Sequence, residues 1–99
     1  MSYSVIIETP AYEDLRDIFT YIAQDSPFIA AQILEELQAR MKSLQDFPER
    51  HPVVLEIRDY KIHHLIFKEG FRILYTIEKQ EVHILHCFRS ERKLSEDLF

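Results

Sequence analysis

The hydrophobic residues of this chain change their spacing partway along it. Before Pro48, apolar side chains recur every three or four residues, which is the repeat of an α-helix that buries one face. After Val53 they lie in short segments rich in β-branched and aromatic residues, as in β-strands. Helices in one part of a chain and strands in the other predict an α+β fold, with the helices packed on one face of a sheet.

The first half begins with a short strand and an amphipathic helix. Residues Tyr3–Glu8 read as the strand, which ends at Thr9-Pro10, where Thr can cap a helix and Pro suits its first position. One side of the helix carries Glu13, Asp14, Arg16 and Asp17. The other side, predicted to face the core, carries Leu15, Ile18, Phe19 and Ile22.

A second helix is predicted from the same cap-then-proline signal at Ser26-Pro27. It is expected to end near Phe47-Pro48. The short connection predicts an antiparallel helical hairpin.

The second half predicts an antiparallel meander from VVLEI, YKIHHLIF, FRILYTIE and EVHILHCF. A tight turn at Lys79-Gln80 would give one continuous apolar face that packs on the hairpin. The predicted pairs are Ile77 with Val82, Tyr75 with Ile84, and Phe71 with Phe88. Nothing strong is predicted for the tail from Ser90 to Phe99.

Composition narrows the function classes. With 99 residues and 46% hydrophobic content, one domain over residues 1–99 is expected. A net charge of −5 gives no general attraction to nucleic acid or to an anionic membrane. A lone Cys87 predicts a reduced thiol and a cytoplasmic setting, and the N-terminal apolar stretch is too short for a signal peptide or a membrane span.

Cationic and imidazole side chains gather in the strand half, which is therefore locally basic. A solvated sheet face with basic edges explains them, and so does a site for phosphate or for a partner's carboxylates. They are Arg58, Lys61, His63, His64, Arg72, His83, His86, Arg89, Arg92 and Lys93.

Arg72 interrupts an apolar segment that reads as a central strand, so it must be paired or face a wet groove. An ion pair with Glu13 or Asp14 would be a purely structural role. A three-residue loop at 68–70 would put Lys61 and His63 on the face opposite Arg72, whereas a four-residue loop would put all three together. The sequence leaves both registers open.

Five histidines invite a metal hypothesis, which their spacing does not support. His63 and His64 point to opposite faces of a strand, and no carboxylate or thiol stands at clear ligand spacing beside them. Ordinary surface or half-buried histidines are expected. The sequence also lacks the usual cofactor motifs, such as a glycine-rich phosphate loop.

Two segments resemble the RelE/ParE superfamily of type II toxin–antitoxin toxins, and the helical half is closer to the ParE branch. They are ETPAYEDLRDIFTYIAQDSPFIAAQILEEL followed by LQDFPE, and FRILYTIEKQEVHILHCFRSER. The resemblance covers nearly the whole chain. It implies an N-terminal strand and a helical hairpin packed on a twisted antiparallel sheet with a concave basic face.

The RelE side of the resemblance implies a metal-independent endoribonuclease that cuts mRNA on the ribosome. Lys61, Arg72 and Arg92 match cationic positions of that site, and His63 stands where it has a second lysine. The site's terminal tyrosine has no counterpart, since the chain ends Leu98-Phe99. In this interpretation the four residues are catalytic.

The ParE side implies inhibition of DNA gyrase by binding, with no cofactor, and the acidic chain suits a protein target better than RNA. Contact residues would be Arg58, Arg72, Arg89 and Arg92. Either toxin implies a cognate antitoxin whose disordered segment wraps the helices and the sheet edge, and a homodimer is possible without it. A non-toxic binding module that keeps the fold is a third hypothesis.

Overall fold

The computed structural model describes residues 2–54, 61–67 and 70–89, with Phe67 and Arg89 described for their backbone alone. Two helices pack on a four-stranded mixed sheet of order β1-β4-β3-β2, which confirms the α+β fold. The elements are β1 (Ser4–Ile7), α1 (Thr9–Ala23), α2 (Pro27–Ser43), a 3₁₀ turn (Pro48–Arg50), β2 (His63–Phe67), β3 (Phe71–Glu78) and β4 (Glu81–Arg89). No helix in these ranges is both long and apolar enough to cross a bilayer.

The starts of both helices agree with the sequence signals to within one residue. Ser26 caps α2, since its hydroxyl accepts a hydrogen bond from the Ile29 amide at 3.2 Å. In α1, Glu8 is the cap residue in place of Thr9, and its side chain makes no cap bond. The Glu8 carboxylate instead contacts His83, so it links α1 to the sheet.

The second helix ends at Ser43, earlier than predicted. Proline disfavours the helical conformation in the residue before it, and Phe47, which precedes Pro48, has a left-handed φ of 49°. The Tyr3 amide donates to the Gln45 carbonyl at 2.8 Å. The segment after α2 is therefore held against the start of β1.

Strand β1 pairs in parallel with β4, an arrangement that the strand pattern alone does not contain. Parallel neighbours need a long crossover, and the helical hairpin lies within it. The pairing runs as far as Ile7 with Ile84. Farther along β4, Asp14 of α1 accepts a hydrogen bond from the Cys87 amide at 2.9 Å, so a side chain satisfies that edge amide.

The meander is confirmed for β2, β3 and β4, with one correction. The two-residue turn at Lys79-Gln80 places Ile77 opposite Val82 and Tyr75 opposite Ile84, as predicted. A β-bulge then shifts the register at Leu74/Tyr75, so Phe71 pairs with Arg89, and the predicted pair of Phe71 with Phe88 is wrong. Of VVLEI, Val53 forms an isolated bridge with His63, and residues 55–57 lie outside the described residues.

The sheet has two different faces. The inner face packs on the helices, with Phe71, Ile73 and Tyr75 of β3 against Leu15, Leu37 and Met41. We call the opposite side the outer face. It carries a smaller apolar cluster of Val54, Ile62, Leu74 and Phe88, together with the side chains of His64, Ile66 and Arg72.

Candidate functional site

Arg72 lies on the outer face, on the central strand β3. Its cross-strand neighbours are Ile66 on β2 and Phe88 on β4, and its side chain is only 7% exposed. A buried cation is costly unless it is hydrogen-bonded. Among the described residues of the strand half, Arg72 is therefore the buried cation whose polar partners need to be identified.

His64 of β2 meets this cation. The Arg72 Nε and Nη2 atoms lie 3.2 and 3.0 Å from the His64 Nδ1 atom. In the β2–β3 register His64 pairs with Leu74, so His64 and Arg72 are diagonal neighbours, within reach of a long side chain. Both residues belong to the cationic and imidazole set of the strand half, but the sequence does not indicate that they are in contact.

The ion pair considered between Arg72 and a helix carboxylate does not describe this site, because Arg72 faces away from the helices. The Asp14 carboxylate instead accepts a hydrogen bond from the Cys87 amide, and its Oδ2 atom lies 2.9 Å from His86 Nδ1. Glu13 is exposed on α1. Asp14 thus fastens α1 to β4.

The structure does not bring Lys61 and His63 to Arg72. Phe67 pairs with Phe71, so the loop between β2 and β3 has three residues, 68–70. With this register His63 lies on the inner face. His63 is buried, stacks on Tyr75 at a centroid distance of 5.3 Å, and its Nδ1 lies 2.7 Å from the His51 carbonyl oxygen. Lys61 is exposed just before β2.

The roles predicted for these residues stay predictions. Arg58 and Arg92 lie outside the described residues, and Arg89 is described for its backbone alone, as the last residue of β4. Of the predicted gyrase contacts, Arg72 is therefore the one whose side chain can be placed.

Tyr75 holds a buried polar network on the inner face that sequence reasoning missed. Its hydroxyl donates to the Pro48 carbonyl at 2.6 Å, and burial raises its pKa. The His51 ring meets Tyr75 edge-on at 6.4 Å, and burial lowers the pKa of His51. These contacts attach the segment after α2 to β2 and β3. The apolar appearance of FRILYTIE gave no signal that its tyrosine oxygen would find a backbone partner.

The histidines of β4 are held by carboxylates. His83 has Glu8 Oε1 at 3.1 Å from Nδ1 and Glu81 Oε1 at 3.0 Å from Nε2. The hydrogen bond with Glu8 is the largest cause of its raised pKa. These carboxylates bind opposite ring nitrogens, and the described ranges contain no group of three His, Cys, Asp or Glu residues able to hold a metal ion.

Cys87 is buried on the inner face, and burial raises the pKa of its thiol to about 12. A thiol in this state is a poor nucleophile at neutral pH. Its described role is to fill the core.

The helical layer carries an open groove of about 320 Å³ between α1 and α2. Its wall is formed by Tyr12, Leu15, Arg16, Phe19, Leu34 and Gln38. Phe19, predicted to face the core, lines this groove instead. Tyr12 is 58% exposed, and farther along the hairpin Phe28 is 72% exposed. Exposed apolar patches are common where a partner binds.

Solved structures share this fold. A chain from the chromosomal ParDE toxin–antitoxin system of P. aeruginosa superposes with a TM-score of 0.78 at 20% identity, over 91% of this chain and 98% of that one. The RelBE2 toxin–antitoxin complex of Mycobacterium tuberculosis gives 0.62 at 22% identity, over 90% and 92%. A mutant of the E. coli toxin RelE in the free state gives 0.64 at 14% identity, over 92% and 86%. At these identities the likeness shows the fold alone.

Comparison with curated protein sequences gives no match. A family model does match, over residues 5–94, a range that contains both helices, β2, β3, β4 and all of β1 except Ser4. Its description is the ParE toxin of the type II toxin–antitoxin system parDE. The chain belongs to the ParE toxin family.

Proposed function

We propose that this chain arrests bacterial growth from the cytoplasm by binding DNA gyrase, and that it does not cut RNA. The separation of the predicted catalytic groups supports this choice most strongly. Metal-free RNA cleavage needs an acid, a base and cations around one phosphate. His63 is buried on the inner face and Arg72 lies on the outer face, so they do not surround a common phosphate.

The charge of the chain supports the same target. Binding to ribosomal RNA gains affinity from basic charge, and this chain carries −5. A protein target can instead be recognised by a few arginines within a mostly apolar surface. In the proposed interface, Arg72 is joined by Arg58, Arg89 and Arg92, and these residues are contacts rather than catalysts.

We propose further that a cognate antitoxin covers the groove between α1 and α2. The structural neighbours from P. aeruginosa and M. tuberculosis come from toxin–antitoxin systems. The groove offers Tyr12, Phe19 and Leu34 to apolar side chains of a partner.

Carboxylates outnumber basic side chains on the two helices. The segment that binds is therefore amphipathic, with apolar anchors and flanking Lys or Arg. Without the antitoxin, the same surface favours self-association.

The target is tested by inducing the chain without antitoxin and measuring growth, plasmid supercoiling and mRNA ends by primer extension in the same cultures. Growth arrest, altered supercoiling and intact transcripts are expected. Arrest with cut transcripts and normal supercoiling would contradict the gyrase proposal and favour the RelE-like nuclease. Absence of arrest from a folded protein would favour the non-toxic module.

Two substitutions sharpen this test. Under the gyrase proposal, Arg92→Ala weakens the arrest and Lys61→Ala does not. In a nuclease, either change would lower RNA cleavage by about 10²-fold or more, because both side chains would stabilise the transition state.

The antitoxin surface is tested with Tyr12→Arg, which puts a cation and extra bulk into the groove. Co-expressed antitoxin should then fail to rescue growth. Tyr21→Arg is the matched control, since Tyr21 is an exposed α1 tyrosine that does not line this groove. Full rescue of Tyr12→Arg would place the antitoxin elsewhere.

A further inference from the structure

His64 and Arg72 form a directional contact on the outer face. Two nitrogen atoms of the guanidinium converge on one imidazole nitrogen, at 3.2 and 3.0 Å. The guanidinium belongs to a side chain that is 7% exposed, while His64 is half-buried. The contact therefore lies where burial meets solvent.

The chemistry of the two groups fixes the state of the histidine. Arginine has N–H donors, no acceptor, and a charge at every physiological pH. The His64 Nδ1 atom must then be the acceptor, which requires a neutral ring with its proton on Nε2. A doubly protonated ring would offer Arg72 an N–H and a second positive charge, so the contact would be lost.

We propose that His64 is the positioning residue of Arg72: its unprotonated Nδ1 holds the guanidinium in the orientation in which Arg72 contacts the target. This rests on the proposed function of Arg72. This role is separate from the catalytic role considered for His63. His63 and His64 are neighbours on β2, so their side chains point to opposite faces of the sheet, and only His64 shares the outer face with Arg72. Holding a long side chain before binding reduces the entropy lost on binding.

The arrangement makes target binding sensitive to acid. Protonation of His64 would set two cations against each other across β2 and β3. His51, in the segment beside β2, is near enough to His64 to interact with it electrostatically, but burial lowers the pKa of His51 and so favours its neutral ring. His86 of β4 lies in the same row of the sheet, opposite Leu74, with Asp14 on its Nδ1. Binding should therefore weaken at a pH low enough to protonate His64.

The functional test uses the full chain and purified DNA gyrase in a plasmid supercoiling assay. His64→Asn keeps an acceptor near the Nδ1 position and does not titrate, whereas His64→Leu removes the acceptor. We expect His64→Leu to inhibit about tenfold less strongly, because a hydrogen bond to a charged group is lost. His64→Asn should stay near wild-type activity and show no loss in acid. His51→Asn, which changes a neighbouring histidine away from Arg72, is the control.

Equal inhibition by His64→Leu and wild type, or an acid response of His64→Asn that matches wild type, would overturn the positioning role. A second measurement is independent of toxicity. The ¹⁵N shifts of the His64 ring at pH 7, assigned by their loss in His64→Asn, should show a neutral ring protonated at Nε2. A proton on Nδ1 would refute the proposal whatever the target. Absence of gyrase inhibition by wild type, with the expected tautomer present, would count against the gyrase proposal alone.

Discussion

The two faces of strand β3 are both buried, yet they are built from different chemistry. On the inner face, Phe71, Ile73 and Tyr75 meet the helices, and the one polar atom among them donates to a backbone carbonyl. On the outer face, Leu74 and Arg72 alternate with them, and the Arg72 guanidinium contacts the His64 ring. Apolar burial is enough to hold a sheet against helices. A buried charge adds little stability, which is consistent with the recognition role proposed for Arg72.

The largest expected effect tests the claim that stability comes from the inner face. Ile73→Ala removes a fully buried side chain and should lower the free energy of unfolding by about 2–5 kcal/mol. Ile66→Ala is the matched control on the outer face, where the isoleucine is 54% exposed, and should cost less than about 1 kcal/mol. Urea unfolding of the two variants measures the difference. Equal losses would remove the contrast between the faces.

The next effect concerns the polar network of the inner face. Tyr75→Phe keeps the ring but leaves the Pro48 carbonyl without its 2.6 Å donor. Leaving a buried polar group unpaired costs about 1–3 kcal/mol. The exposed Tyr12 provides the comparison, and Tyr12→Phe should be neutral within about 0.5 kcal/mol. If thermal unfolding shows the two changes to be equivalent, Tyr75 acts through its ring alone.

The smallest effect is a pH dependence at the β1 edge. The pKa of His83 is raised, mainly by its hydrogen bond with Glu8, so the protonated ring stabilises the folded state. That contribution is complete below the ordinary histidine pKa and is lost as the pH rises through the folded value. Because His83 is near the surface, the effect should stay below about 1 kcal/mol.

The His83→Asn variant measures this contribution. Its stability deficit relative to wild type, followed by urea unfolding, should be largest near pH 6 and shrink toward pH 9. A deficit that grows with pH would reverse the sign assigned to the Glu8 contact.

Local signals predicted the elements well. The Ser26 cap and the two-residue turn at Lys79-Gln80 depend on a few adjacent residues, and the structure confirms both. The turn also determined the pairs nearest to it. The bulge near Tyr75 breaks the register farther along, and an extra residue in a strand leaves no periodic signature in a short apolar segment.

Long-range features could not be predicted in the same way. Pairing of β1 with β4 joins the two ends of the described fold. The contact of His64 with Arg72 depends on the length of the β2–β3 loop, which the sequence left at three or four residues. The sequence therefore identified Arg72 as unusual, because a charge in a central strand needs a reason, but it could not identify the partner.

The most direct test of the proposed activity is plasmid supercoiling by purified DNA gyrase in the presence of the full chain, with a parallel reaction containing ribosomes and mRNA at the same concentration of the chain. Inhibited supercoiling together with intact mRNA is the predicted result. Normal supercoiling together with cut mRNA would contradict it, and would mean that Arg72 serves a catalytic site despite the placement of His63 on the other face of the sheet.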